Sequence, residues 1–396
     1  MPRAIILMMD SFGIGGAPDA DKFGDAGADT FGHIVDNYPN LKIPNLVRLG
    51  LVKAANAASG SRRELSDNGA EISLPSKYGH CKEISSAKDT SSGHWELAGV
   101  PVTTPWGYFK PDYPSFPEEL VEHICKRAGI SGILGNKAAS GTEIIQELGE
   151  EHIKTGKPIC YTSADSCFQI AAHEKYFGLD RLYDVCQIAF EEVKPYRIGR
   201  VIARPFEGEK AGAFDRTKNR HDYSVTPPMP TLLDVVKNSG KEVVAIGKIS
   251  DIYAGQGVTK ALHASGLEEL WDVTLDEVMN APENSIIFTN FVDFDMLWGH
   301  RRNVKGYADG LEYFDSRLPE ILPLLREDDI VIITADHGND PTYKGTDHTR
   351  EQVPMLLFGK KIQTRDAGES KTFADIAQTI ASYFKLEPFA DGKSFL

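Results

Sequence analysis

Asp336 and His337 stand side by side in Thr-Ala-Asp-His-Gly-Asn-Asp, and His348 follows in Gly-Thr-Asp-His-Thr. Upstream, Asp295 and His300 share the segment Asp-Phe-Asp-Met-Leu-Trp-Gly-His-Arg-Arg, and Asp10 closes the apolar run Ala4–Met9. Three carboxylates and three imidazoles form a mixed oxygen and nitrogen donor set. Such a set suits manganese, zinc or iron better than calcium or magnesium alone. Six ligands can hold two divalent ions and leave positions open for a substrate oxygen, as two-metal phosphoryl chemistry requires. Taken singly, each residue has a plainer reading: an Asp at a strand end often caps a helix, and a His is often a structural hydrogen-bonding group. Asp293 and Asp347 read as turn residues or supports to their neighbours. The set as a whole favours metal, because its segments follow apolar runs that would converge on one sheet edge.

A second chemical signal is Lys88-Asp-Thr-Ser-Ser-Gly-His, ahead of a short helix expected over Trp95–Ala98. A hydroxyl at a helix N-terminus faces unpaired backbone N–H groups and the positive end of the helix dipole, which favours a phosphoryl group there. A metal on the same oxygen would sharpen it as a nucleophile. Thr90, Ser91 and Ser92 are all candidates, and a plain helix cap is the alternative.

A sugar phosphate also needs cationic contacts. Arg200 and Arg204 flank one strand-like run, Arg216 opens the basic cluster Arg-Thr-Lys-Asn-Arg-His, and Lys248 ends another run. Any one of them could equally be a solvated surface charge. Gly13-Ile-Gly-Gly-Ala-Pro lacks nucleotide-loop spacing, no Walker motif occurs, and the segment reads as a turn that exposes Asp10.

The elements that must position these residues are short Ile- and Val-rich runs without polar alternation. They are Ala4–Met9, Glu242–Ile246, Ser285–Asn290 and Ile330–Thr334. Runs of that kind form strands buried on both faces of a parallel sheet. Helical spacing separates them, as at Thr231–Asn238 and at Phe373, Ile376, Ile380 and Phe384. The expected fold class is α/β, a mostly parallel sheet between helices with ligands at the strands' carboxyl ends. The middle has helices of its own, Pro117–Lys126 and Leu182–Val193, and strands, Pro158–Thr162 and Gly199–Phe206. Pro-rich joints bound it, so residues 102–225 read as an inserted α+β cap and 1–101 with 226–396 as a catalytic core.

Composition agrees with a soluble enzyme. The 396 residues are 41% hydrophobic and 25% charged, an ordinary globular mix. A net charge of −14 argues against nucleic acid or an anionic membrane as partner. It also makes bound cations the natural means of attracting a phosphate. Five cysteines without a C-x-x-C pair fit a reducing cytoplasm, and no segment reads as a signal peptide or a membrane span.

Four segments carry a resemblance. Asp10-Ser-Phe-Gly, Lys88-Asp-Thr-Ser-Ser-Gly-His-Trp-Glu, Asp293 to Arg302 and Thr334-Ala-Asp-His-Gly-Asn-Asp resemble the phosphopentomutases of the alkaline phosphatase superfamily. The likeness runs over essentially the whole chain. The Asp-His-Gly element alone would indicate only the superfamily, whereas Lys-Asp-Thr and Asn-Arg-His-Asp-Tyr indicate the mutases. The resemblance implies two Mn²⁺ ions, one on Asp295, His300 and His348 and the other on Asp10, Asp336 and His337. It implies Thr90 as the phosphorylated residue, and Ser163, Asp165, Arg200, Arg216 and Lys248 as contacts to sugar or phosphate. The implied activity interconverts the 1- and 5-phosphates of ribose and deoxyribose, with a sugar bisphosphate as activator. The alternatives are a metal-dependent phosphatase, a phosphoglycerate-type mutase of the same superfamily, or a non-catalytic binder of metal and sugar phosphate.

Overall fold

The structure is a computed structural model that describes residues 2–163 and 166–396. Its strands, in chain order, are β1 (Ala4–Met9), β2 (Ser76–Cys81), β3 (Leu134–Ala138), β4 (Ile159–Thr162), β5 (Cys167–His173), β6 (Arg200–Glu207) and β7 (Asp215–Arg216). There follow β8 (His221–Ser224), β9 (Glu242–Ile246), β10 (Lys260–Leu262), β11 (Ser285–Phe291), β12 (Ile330–Thr334), β13 (Val353–Phe358) and β14 (Arg365–Ser370). The chain divides into two compact units, one made of Met1–Thr104 with Thr226–Leu396 and the other of Pro105–Val225.

The first unit is built on one sheet of order β10-β9-β11-β1-β12-β13-β2-β14. From β10 through β12 all neighbours run parallel, and every residue of β1, β11 and β12 is buried. That is why these strands lack polar alternation in sequence: helices cover both faces. Beyond β12 the sheet turns antiparallel through β13 and β2, with β14 parallel to β2 at the edge. This half left little trace in the sequence, because β2 reads Ser-Lys-Tyr-Gly-His-Cys and β14 is half exposed. The helix after the inserted segment, Leu232–Asn238, starts at Thr231, whose backbone N–H and hydroxyl both donate to Asp234 at 2.8 Å. That capping box fixes where the chain re-enters the unit.

In the second unit the sheet order is β3-β4-β5-β6-β7, with β8 also pairing with β6. One face, with Cys160, Phe168, Ile170, Val201 and Ala203, forms a core that includes Leu120, Ile124, Leu182 and Val185 from helices Glu118–Ala128 and Leu179–Glu192. On the other face, Ile159, Ala171 and Phe206 pack with Ile144 and Ile145 of helix Gly141–Thr155. Tyr161, Gln169 and Arg204 share this second face through the two-residue alternation of their strands.

The first strand is anchored by an internal ion pair. Arg3, fully buried, donates from Nε to Asp329 Oδ1 at 3.1 Å and from Nη2 to Oδ2 at 2.5 Å. The pair ties the entry of β1 to the turn before β12, so both strands present their carboxyl ends in register. Removing one partner leaves a buried charge uncompensated. Arg3→Met is therefore expected to destabilise the protein by about 3–5 kcal/mol. A urea melt of the variant checks this, and an unchanged midpoint would contradict it.

Candidate active site

The carboxyl ends of β1, β11 and β12 bring the acidic and imidazole residues together. Asp10 directly follows β1, and Asp336 and His337 lie two and three residues after β12. Asp295 lies in the single helical turn Phe294–Gly299 after β11, and His300 caps it. His348 arrives on the loop before β13. Parallel register makes this convergence possible, since Met8 lies between Asn290 and Thr334.

Two overlapping triads result. The ligand atoms of Asp10, Asp336 and His337 lie within 4.8 Å of one another, as do those of Asp295, His337 and His348. His337 belongs to both. His300 Nε2 completes the second group, 3.1 Å from Asp295 Oδ2 and 3.1 Å from His348 Nε2. His337 Nε2 is 3.2 Å from Asp336 Oδ2 and 3.7 Å from Asp10 Oδ1. Among the sequence-predicted hydroxyls, Thr90 Oγ1 lies 3.2 Å from this same His337 Nε2.

The surroundings aim these groups. His300 Nδ1 donates to the Thr346 carbonyl at 2.6 Å and His337 Nδ1 to the Gly338 carbonyl at 3.1 Å. Each bond fixes the hydrogen on Nδ1 and leaves Nε2 turned to the centre. Asn290 donates to Asp10 Oδ2 at 2.8 Å, and Asn339, itself held by Arg302, donates to Asp295 Oδ1 at 2.8 Å. Ser11 takes a left-handed backbone conformation, φ 67°, and its N–H donates to Asp336 Oδ1 at 3.0 Å. That strained residue is part of how Asp10 and Asp336 are brought together. Gly13 has a different reason to be glycine: a Cβ there would meet Glu351 Oε2 at 2.2 Å.

Electrostatically the centre is made for cations. Asp10 Oδ1 and Asp336 Oδ2 are buried without a hydrogen bond. Burial, reinforced by Asp336 and Asp295, pushes Asp10 well above the usual carboxylate range. Burial also opposes charge on Asp336 and Asp295. There the facing imidazoles outweigh it: His337 and His94 hold Asp336 low, and His348 and His300 hold Asp295 low. His300 and His348 point Nε2 at Nε2 across 3.1 Å, so at least one of these nitrogens presents a lone pair. Orphaned carboxylate oxygens beside converging imidazole nitrogens fit two divalent cations of the manganese or zinc kind.

Two sequence expectations need correction. The helix at the candidate hydroxyls is Thr90–Leu97, not Trp95–Ala98, so Thr90 is its first residue. Its first free N–H groups do not all await a phosphoryl group, because the Asp89 carboxylate accepts from Ser91 N and Ser92 N. Asp89 also takes the Ser92 hydroxyl at 2.8 Å, and Ser92 is fully buried. Asp347 ties two loops together: Lys88 Nζ lies 3.1 Å from Asp347 and 2.8 Å from Asp25.

The remaining candidates belong to other segments of the chain. Lys248 caps the short helix Ile249–Ile252 and is half-exposed, 3.7 Å from Asp251. Ser163, Arg200 and Arg216 belong to the second unit; Asp165 lies outside the described residues. Ser163 Oγ is 3.2 Å from Cys167 Sγ, Arg200 opens β6, and Arg216 donates to Tyr161 Oη at 3.2 Å. Arg204, on the same unit, donates to Gln169 at 3.0 Å and has no carboxylate partner among the described residues. Burial, with Arg220 and Arg216 nearby, pushes it down to about 10. Arg220 differs, being held by both oxygens of Asp222 at 2.6 Å. The sequence marked Arg204 only as a flanking charge. Asn290, Asn339 and His94 were missed, since an amide or a ring in a motif shows no sign of what it touches.

Residues 2–388 match the Metalloenzyme superfamily. The phosphopentomutase of Elusimicrobium minutum (strain Pei191) is 66% identical over 397 residues, covering 100% of both chains. That of Aeromonas salmonicida (strain A449) is 57% identical over 404 residues, again with 100% of both covered. Among solved structures, the PH0037 protein of Pyrococcus horikoshii aligns with a TM-score of 0.48 at 12% identity, over 97% of this chain and 96% of that one.

The crowding of carboxylates makes a prediction about the metal-free protein. Asp10→Asn removes a buried carboxyl group that crowds Asp336 and Asp295 and whose Oδ1 has no hydrogen-bond partner among the described residues. The variant is expected to be more stable than the wild type after chelation, by roughly 1–3 kcal/mol, and to gain less stability when Mn²⁺ is restored. Urea melts with chelator and with added Mn²⁺ measure both. A variant destabilised without metal would contradict this view of the centre.

Proposed function

The chain belongs to the phosphopentomutase family of the Metalloenzyme superfamily, and on that premise we propose how its residues interconvert pentose 1- and 5-phosphates. It is an isomerase that works by phosphoryl transfer. The substrates in this reading are ribose and deoxyribose phosphates, and the nucleophile is Thr90. The observation that supports it most is the 3.2 Å separation of Thr90 Oγ1 from His337 Nε2, the imidazole common to both triads.

Asp10, Asp336 and His337 would hold one Mn²⁺ and Asp295, His300 and His348 the other, following the family pattern. When bound, the pair would stabilise charge on phosphoryl oxygens and lower the pKa of a hydroxyl beside it. Thr90 carries the phosphoryl group at rest. A substrate hydroxyl gives up its proton as its oxygen bonds to phosphorus, the bond from phosphorus to Thr90 Oγ breaks, and Thr90 Oγ takes up a proton in exchange. The sugar is then a 1,5-bisphosphate and Thr90 a free hydroxyl. In the second half, Thr90 Oγ takes the phosphoryl group from the other end, which leaves the isomer and restores the phosphoenzyme. Asp89, capping the helix, keeps the first turn rigid so that the threonine oxygen stays in line.

A second phosphate must be held while the first one moves. Arg200, Arg216 and Lys248 are assigned that role, with Ser163 and Asp165 reading the sugar hydroxyls. Arg204 is added on chemical grounds, as a half-buried guanidinium near Arg216 with no carboxylate in salt-bridge contact among the described residues. A phosphate monoester would complete the pair of guanidinium groups. Water would discharge the phosphothreonine by hydrolysis, and a sugar bisphosphate would then reload it. No helix among the described residues is long and apolar enough to cross a membrane, and a cytoplasmic location is proposed with the function.

A coupled assay of ribose 1-phosphate conversion with Mn²⁺ tests the reading. The wild type is expected to form the 5-phosphate and release little inorganic phosphate. Thr90→Ala is expected to lose on the order of 10⁴-fold in kcat or more. Isomerisation by Thr90→Ala would remove Thr90 as nucleophile. Release of free phosphate by the wild type without isomer would make the protein a phosphatase.

A further inference from the structure

His94 is fully buried, four residues after Thr90 on the same helix, and neither triad includes it. Its Nδ1 lies 2.9 Å from the Thr90 carbonyl and 3.0 Å from Asp336 Oδ2. Both neighbours are acceptors, so Nδ1 carries the hydrogen. The far nitrogen, Nε2, is buried without a hydrogen-bond partner among the described residues. The ring stacks on Phe288, centroids 6.0 Å apart, and meets the edge of Tyr253 at 6.3 Å. Tyr253 Oη donates to the His94 carbonyl at 2.6 Å, which locks the residue from the other side.

The choice of residue is informative. A Phe or Leu would fill this apolar slot without stranding a polar nitrogen, and stranding one costs stability. The imidazole is kept at that cost, and only its Nδ1 touches anything polar. The neighbour at 93 tells the same story: a Cβ on Gly93 would come within 2.0 Å of the Asp336 carbonyl oxygen. The helix bearing Thr90 thus rests directly on the backbone of Asp336. His94 then bridges that helix to the Asp336 side chain, whose other oxygen is taken by Ser11 N.

We infer that His94 is a positioning residue. Its Nδ1–H, bonded to the Thr90 carbonyl and 3.0 Å from Asp336 Oδ2, holds the first turn of the Thr90 helix beside Asp336 and attracts that carboxylate oxygen electrostatically, which fixes how Asp336 faces the metal centre. The inference rests on the reading above, in which Thr90 is the nucleophile and Asp336 a ligand.

The test uses the full chain with His94→Phe and His94→Asn. Phenylalanine keeps the packing and loses the donor; the Asn amide nitrogen falls close to the position of ring Nδ1. His94→Phe is expected to match or exceed the wild-type melting temperature without metal. It is expected to bind Mn²⁺ about 10–100-fold more weakly, in line with losses seen when outer hydrogen bonds to ligands are removed. Its kcat should fall with KM little changed, and His94→Asn should recover most of both losses. Wild-type Mn²⁺ affinity and kcat in His94→Phe would overturn the inference, as would equal impairment of the Phe and Asn variants. If His94→Phe fails to fold, His94→Gln replaces it, its amide reaching toward Nε2 instead. Asn should then outperform Gln, and equality would overturn the inference. Mn²⁺ affinity, measured by competition with a chelator, needs no turnover. A wild type inactive on pentose phosphates would therefore sink the functional reading alone, and unaltered metal affinity and kcat in the Phe variant would sink this one alone.

Discussion

Negative charge buried in one place governs this protein. Asp10, Asp336 and Asp295 converge at the end of a buried parallel sheet, and two of the carboxylate oxygens have no hydrogen bond. Ordinary side chains compensate only part of this. Asn290, Asn339 and Ser11 N–H supply three hydrogen bonds, and the imidazoles hold Asp336 and Asp295 ionised while Asp10 is pushed toward its neutral form. A cluster so arranged costs stability unless cations enter it. The net charge of −14 adds to the requirement, since a phosphate approaching this chain needs a local positive centre.

The fold can be understood as what tolerates that cluster. Parallel neighbours β11, β1 and β12 are wholly buried, so their hydrogen-bond ladders hold three loops in fixed register. The Arg3–Asp329 pair secures the opposite end of the same strands. Thr90, the proposed nucleophile, comes from elsewhere, on a helix seated on Asp336 through Gly93 and His94. Thr90 is thereby set against His337 by packing as well as by the hydrogen bonds around it. Rigidity of this kind is what phosphoryl transfer needs, because positioning and charge stabilisation supply most of its rate.

Much of this was legible in the sequence, for a physical reason. β1, β9, β11 and β12 are buried almost throughout, so their composition is predominantly apolar. Beyond the ends of β1, β11 and β12 come the acidic and imidazole residues. β2 and β14 were not legible, because edge position and mixed burial erase the apolar signature. The helix at Thr90 was placed too late because Ser-Ser-Gly reads as a turn, and only Asp89 as its cap makes Thr90 helical. Asn290, Asn339 and His94 were invisible for another reason. Their importance lies in contacts made across distant parts of the chain, with Asp10, Asp295 and Asp336, and no local pattern records such contacts.

The two triads sharing His337 are proposed to hold two divalent cations. Anomalous diffraction at the manganese edge, from crystals grown with Mn²⁺, tests this most directly. Two peaks about 4 Å apart are expected, a spacing typical of paired-metal phosphoryl-transfer sites. One should be bonded to Asp10 and Asp336 and the other to Asp295 and His348. No peak among these side chains, or a lone peak elsewhere on the molecule, would contradict the account.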